Sequence, residues 1–224
     1  MNYNIITIFP GMFDSYFNES IIKRAQDKGI INIKTHALRD YTTDKHKTVD
    51  DTPYSGGAGM VMMIEPLYKA LESVKSEIKT PKSRTILLSA KGRRWTQQVA
   101  QEFAELENIT MICGRYEGVD QRILEFIDEE ISIGDFVLTG GEIGAMTIVD
   151  SVTRLLPGVL GNEFSAIDES HSIPGVLEYP QYTKPEIFKV GNKEYTVPEI
   201  LLSGNHKKIQ EWRENMKKKK PSNN

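Results

Sequence analysis

The chain is poor in cysteine, in long apolar runs and in the glycine signatures of the common nucleotide-binding and hydrolase folds. Its single cysteine, Cys113, excludes an internal disulfide and suits a reducing compartment. Because Cys113 closes an apolar strand pattern, it reads as a core residue rather than a nucleophile. No apolar run approaches the roughly twenty residues that a membrane span needs. The start, Met1-Asn2-Tyr3-Asn4, has none of the charged, apolar and small-residue regions of a signal peptide, so a cytoplasmic protein is expected. The loop Tyr54-Ser55-Gly56-Gly57-Ala58-Gly59-Met60 lacks the Gly-Lys-Ser/Thr ending of a P-loop. As a dinucleotide fingerprint it has Met62 in place of the third glycine and no clear strand before it. No Gly-x-Ser-x-Gly elbow is present. The four histidines, His36, His46, His171 and His206, lie far apart and beside no cysteine pair. No zinc site is expected, and they read as surface or partner-facing residues.

What is present is a chain of 224 residues, 39 % hydrophobic, enough to build a sizeable core in one large or two small domains. Charge divides it unevenly. Residues 1–173 carry 18 Lys and Arg against 25 Asp and Glu, whereas residues 174–224 carry 10 against 6, so an acidic body precedes a basic C-terminal part. The run Lys217-Lys218-Lys219-Lys220 reads either as a solvated end or as sequence-independent attraction to a polyanion.

Strand and helix patterns alternate over the first two thirds of the chain. Strands are predicted over residues 3–9, 30–38, 85–89, 109–113 and 130–133. Helices are predicted over 12–28 with Gly29 as the cap, 67–75 opened by Pro66, 96–106, 119–127 and 144–156. Such alternation predicts an α/β fold with a mostly parallel sheet covered by helices. The polar stretch 161–173 reads as a flexible linker between a domain over 1–160 and a small, basic, mainly helical domain over 174–224.

Two glycine-containing segments stand at strand-to-helix junctions. Ser132-Ile133-Gly134-Asp135-Phe136-Val137-Leu138-Thr139-Gly140-Gly141-Glu142 follows one predicted strand, and Cys113-Gly114-Arg115-Tyr116-Glu117-Gly118-Val119-Asp120 follows another. Open α/β sheets bind ligands outside the carboxyl ends of their strands, and glycine lets a flat ligand lie on the backbone. Either segment alone could be an ordinary tight turn; together they read as two edges of one small-molecule pocket.

Further motifs extend the pattern: Thr48-Val49-Asp50-Asp51 with Pro53-Tyr54, Gly56-Gly57-x-Gly59-Met60, Pro157-Gly158-Val159-Leu160-Gly161, Pro180-Gln181-Tyr182-Thr183-Lys184-Pro185 and Leu201-Leu202-Ser203-Gly204-Asn205-His206. Taken in order with the two glycine segments, they resemble the bacterial tRNA (guanine-N1)-methyltransferases, the TrmD type of the SPOUT superfamily. The resemblance runs from Ile5 to about Arg213. It implies transfer of a methyl group from S-adenosylmethionine to N1 of the guanosine at tRNA position 37. It also implies a SPOUT-type trefoil knot in the first domain, although true knots are essentially absent from folds in general. The implied cofactor contacts fall on Leu88, Ser89, Gly114, Tyr116, Glu117, Ile133, Gly134, Asp135, Phe136, Val137, Leu138, Gly140 and Gly141. The family acts as a two-fold homodimer whose site takes the knot of one subunit and the linker of the other, and its members use magnesium in transfer, for which no carboxylate cage is identifiable here.

The same resemblance puts an arginine beside the base oxygen, matched by Arg154, and a linker carboxylate as the general base. Here the linker departs from the family pattern. Ser165-Ala166-Ile167-Asp168-Glu169-Ser170-His171 stands where relatives have Ser-Ala, two variable residues and Asp-Ser-Phe, so spacing favours Glu169 as the base and residue type favours Asp168. Ala90 replaces a usual proline beside the cofactor, and longer relatives continue beyond Trp212-Arg213. Candidate phosphate contacts are Lys45, His46, Lys47, Arg93, Arg94, Lys184, Lys207 and Lys208. The altered linker leaves one alternative from another class, a catalytically impaired tRNA-binding or regulatory relative. A Rossmann-type methyltransferase is disfavoured by the failed glycine fingerprint.

Overall fold

The computed structural model describes residues 1–54, 56–161 and 169–219, and the chain divides into two compact units, Met1–Glu163 and Phe164–Asn224. In the first unit, β1 (Asn2–Thr7), β2 (Asn32–Ala37), β5 (Ser83–Arg94), β6 (Asn108–Cys113) and β7 (Glu129–Ser132) form one sheet in the order β2-β1-β6-β5-β7. Every neighbouring pair is parallel. A short antiparallel pair, β3 (Asp50–Asp51) and β4 (Val61–Met62), closes the base of the glycine-rich 51–61 loop. The helices are α1 (Asp14–Phe17), α2 (Ser20–Asp27), α3 (Ile64–Glu77), α4 (Gln97–Ala104) and α5 (Glu142–Thr153).

Side chains alternate across a strand, and both faces of this sheet are covered. Tyr3, Ile5, Ile109, Met111, Cys113, Ile86 and Leu88 enter a core completed by Ile22 and Ala25 of α2, Val99 and Phe103 of α4, and Ile148 and Val152 of α5. Ile6, Ile112 and Leu87 enter a second core under Leu67, Leu71 and Val74 of α3. This is why β6 reads as a nearly unbroken apolar run, and all its residues are buried. Cys113 lies at its end, fully buried, and burial pushes its thiol well above the usual range.

Several local expectations need correction. The single helix over 12–28 is instead a 3-10 turn (Pro10–Phe13), then α1, then α2. The Asn18 side chain donates to the Asp14 carbonyl at 2.7 Å, offering the backbone an alternative to a continuous ladder, and the chain re-enters at Ser20 with φ 50°. Residues 119–127 form a 3-10 turn (Gln121–Phe126), opened by the Asp120 carboxylate accepting from the Arg122 N–H at 3.0 Å. Gly29 does end α2 as expected. With φ 68° it closes a Schellman motif in which Ile30 N–H reaches the Ala25 carbonyl and Gly29 N–H reaches that of Gln26. His36 is not at the surface: its place on β2 turns it inward beside Ile6, where Nε2 pairs with Asn4 Oδ1 at 3.0 Å and Nδ1 with the Tyr41 hydroxyl at 3.2 Å.

The second unit holds β8 (Val176–Leu177), paired antiparallel with β11 (Lys218–Lys219), and the hairpin β9 (Ile187–Val190) with β10 (Lys193–Thr196). It also holds α6 (Glu199–Leu202) and α7 (His206–Met216). Its hairpin goes beyond the mainly helical expectation; the turn is Gly191-Asn192, with the glycine at φ 58°. Lys218 and Lys219 belong to a strand pair rather than to a loose end. Among the described residues no helix is long and apolar enough to cross a membrane.

Candidate functional site

The carboxyl ends of β5, β6 and β7 border a cavity of about 300 Å³. Leu88, Ser89 and Ala90 line it from β5, Gly114, Tyr116 and Glu117 from the loop after β6, and Ile133, Gly134, Phe136, Val137, Leu138, Gly140 and Gly141 from the loop after β7. The structure thus brings together all the expected cofactor contacts except Asp135. That carboxylate pairs with Arg94 at 3.0 Å and is 82 % exposed, drawn away from the cavity by the cation at the end of β5.

The loops are stitched to one another by main chain. Gly141 N–H donates to the Gly114 carbonyl at 3.0 Å, and Arg115 and Gly140 form an isolated antiparallel bridge. Glu117 N–H donates to the Met60 carbonyl and Met62 N–H to that of Gly118, each at 3.0 Å, so the base of the glycine-rich loop is bound to the same edge. Close approach bears on two of the glycines. A Cβ on Gly141 would lie 2.8 Å from Cys113 Cα, a backbone atom that cannot move aside, so α5 starts this near the strand ends because that position is bare; one on Gly144 would lie 2.7 Å from Leu88 Cδ1 and would make that side chain shift.

The titratable residues that line the cavity are Lys91, Arg115, Tyr116, Glu117 and Glu130. Tyr116 sits at φ 60°, and burial together with a hydrogen bond to Asp50 raises its pKa, so its hydroxyl stays protonated. The rim is apolar and open, with Phe136 and Val137 largely exposed. Main-chain donors and acceptors at the strand ends together with apolar walls suit a ligand that brings its own reactivity. Lys91, Arg115, Gln121, Glu130, Thr139 and Gly144 are among the other lining residues, and sequence reasoning missed them. Arg115 and Thr139 lie inside the two glycine segments, whereas Gly144 shows only as a small residue within a helical pattern.

Arg154 caps the C-terminal end of α5, its N–H bonded to the Asp150 carbonyl at 3.1 Å, and it is not among the lining residues. Glu169 belongs to the second unit, where its carbonyl accepts from Ser172 N–H at 3.1 Å and from Ser172 Oγ at 2.7 Å. Asp168 lies outside the described residues. Of the candidate phosphate contacts, Lys47 pairs with Asp40, Arg93 with Glu102 and Glu129, and Arg94 with Asp135. Lys45, His46, Lys184, Lys207 and Lys208 are exposed.

Fold and cavity together define an α/β protein with a cavity at the carboxyl edge of a parallel sheet. The whole chain, residues 1–224, matches the family model described as tRNA (Guanine-1)-methyltransferase TrmD. It is 55 % identical over 214 residues to a tRNA (guanine-N(1)-)-methyltransferase of Citrifermentans bemidjiense, covering 95 % of this chain and 83 % of the relative. Similar relatives of the same name come from Geobacillus kaustophilus (54 %, covering 96 % and 85 %) and Dictyoglomus turgidum (55 %, covering 95 % and 83 %). The chain belongs to the tRNA (guanine-1)-methyltransferase family, and the impaired-relative alternative is not favoured at these identities.

Proposed function

We propose that this protein transfers a methyl group from S-adenosylmethionine to N1 of the guanosine at position 37 of tRNA, with the 300 Å³ cavity as the donor site. The observation that carries the reading is the meeting of the two glycine segments in one cavity within a chain that belongs to this family. The donor fits: strand-end main chain and the apolar residues Leu88, Ile133 and Leu138 would hold it. Bound there, it supplies a sulfonium-activated methyl group, so the protein has chiefly to align donor and acceptor and manage one proton. In the proposal the Glu169 carboxylate takes the guanine N1 proton, with Asp168 as the alternative base, and the Arg154 guanidinium stabilises charge developing on the base oxygen.

The resemblance extends the proposal to a trefoil knot in the cavity-forming loops, a cytoplasmic location and a two-fold homodimer. Phe9, Met12 and Ile143 are large apolar side chains left exposed on the first unit, which supports a partner copy there. Lys184, Lys207 and Lys208 are exposed cations suited to phosphates of the anticodon arm. Among the described residues no cluster of three His, Cys, Asp or Glu side chains is placed to hold a metal ion, so magnesium is given no residues. Methyl incorporation into transcripts with guanosine or adenosine at position 37 tests the reading. Incorporation only into the guanosine transcript is expected, and equal incorporation into both, or none into either, would overturn it.

A further inference from the structure

Glu142 opens α5 as a carboxylate whose side chain is only 1 % exposed. A buried carboxylate costs several kcal/mol unless it is paired and hydrogen-bonded, so its partners indicate why it stands there. Thr7 Oγ1 donates to Oε1 at 2.8 Å and Arg115 Nε donates to Oε2 at 2.9 Å, while Arg115 Nη2 is ion-paired with the same oxygen at 2.9 Å. The guanidinium is not spent on the ion pair alone. Nη1 donates to the Thr139 carbonyl at 3.2 Å, Nη2 meets Met12 Sδ at 3.3 Å, and the group lies 4.8 Å from the Phe9 ring centre. It also fills the space against Gly140, where a Cβ would collide with Arg115 Nε; no left-handed φ is recorded there, so alanine at 140 would add bulk without backbone strain.

We infer that Arg115, held in place by Glu142 and Thr7, is a positioning residue for the loop after β7, pinning Thr139-Gly140 against the loop after β6 and so setting the width of the donor site. The inference rests on reading the cavity as that site. A purely structural ion pair would need neither the bond to the Thr139 carbonyl nor the close fit on Gly140. A planar guanidinium reaches Glu142 and the Thr139 carbonyl from different nitrogens, whereas a lysine offers its donors from one nitrogen only. Lysine at 115 would therefore keep the charge beside Glu142 and remove the side-chain hold on the Thr139 carbonyl, leaving the loop to its main-chain bonds.

The test is Arg115→Lys in the full-length protein, read by calorimetry with S-adenosylmethionine and by steady-state kinetics. The expected result is a melting temperature close to that of the wild type and affinity for S-adenosylmethionine lowered about tenfold, with KM for S-adenosylmethionine raised alone and kcat and KM for tRNA little changed. Gly140→Ala is expected to weaken binding similarly, and its penalty is expected to shrink in the Arg115→Lys background, because a lysine side chain not held to the Thr139 carbonyl can swing away from residue 140. Should Arg115→Lys fail to fold, Thr7→Val carries the test. It removes one bond to Glu142 from a residue outside the cavity lining and is expected to weaken binding about threefold. Wild-type affinity in Arg115→Lys, strict additivity of the pair, or a common rise in both KM values would overturn the positioning role while leaving the donor site intact. Absence of binding by the wild type would overturn the donor site and the inference together.

Discussion

The two units treat their apolar side chains in opposite ways. In the first, every residue of β6 and nearly all of β1 is buried between helices on both faces of the sheet. In the second, β9 and β10 are exposed throughout, α6 and α7 bury no residue, and Phe188, Val190 and Tyr195 lie open. A two-stranded hairpin is marginal in water without a layer to pack on. The first unit therefore carries the free energy of its own fold and can hold a cavity to fine tolerance. The second carries exposed rings and cations, which under the proposed function would meet the phosphates of tRNA.

The largest effect expected from this division is catalytic and arises in the second unit. If Glu169 is the base, Glu169→Gln removes on the order of 10² to 10⁴ from single-turnover methyl transfer. Calorimetric binding of S-adenosylmethionine stays at the wild-type level, because the cavity belongs to the first unit. Asp168→Asn is expected to be mild and Glu169→Asp to remain active. The reverse pattern, with Asp168→Asn crippled, would move the role to Asp168.

Stability should divide the other way. Phe103 is fully buried, its ring edge-on to Trp95 at 5.0 Å and beneath Arg84 at 5.2 Å. Phe103→Ala is expected to cost about 3–5 kcal/mol. Phe188 is more than half exposed, so Phe188→Ala should stay within about 0.5 kcal/mol. Denaturant unfolding of both variants checks this, and a large loss at Phe188 would show that the second unit has a core of its own.

How much of this was legible beforehand follows the same division. Strands buried on both faces announce themselves as apolar runs, so β1, β5 and β6 could be placed, and the glycines after β6 and β7 marked the cavity. The break at Asn18 could not be read, because a single side-chain-to-backbone bond decides between one helix and two. His36 looked like a surface residue because its two partners, Asn4 and Tyr41, come together only once β2 lies beside β1. Asp135 sits among cavity residues in sequence, but it is turned by Arg94, forty-one positions away. In the second unit the Gly191-Asn192 turn was a hairpin signal hidden in segments with no apolar face to bury.

Ligand binding sharpens the comparison at a smaller scale. A donor that binds only the native first unit stabilises by about 2.7 kcal/mol at one hundred times its dissociation constant. Each unit contains one of the two tryptophans, Trp95 and Trp212, so Trp212→Phe and Trp95→Phe variants report the units separately. S-adenosylmethionine is expected to raise the transition seen by Trp95. An unmoved Trp95 transition under saturating ligand would remove the cavity as the donor site.

The smallest effect expected is the dependence of the first unit on pH. Burial, as the larger cause, and the nearby Lys34 both hold the pKa of His36 below its ordinary value. Above about pH 6.5, the pKa of an unperturbed histidine, His36 is neutral in both the folded and the unfolded chain and contributes no pH dependence. As the pH falls below that value, the unfolded chain takes up a proton that folded His36 does not, so stability declines. The decline levels off only once the pH has passed the lower folded value. His36→Gln keeps an amide able to bond Asn4 and removes the titration, so its stability curve between about pH 6.5 and 5 should be flatter than that of the wild type. Denaturant unfolding followed through Trp95 at several pH values provides the measurement. Parallel curves for the two proteins would mean that the acid sensitivity of this unit arises elsewhere than in the Asn4–His36–Tyr41 chain.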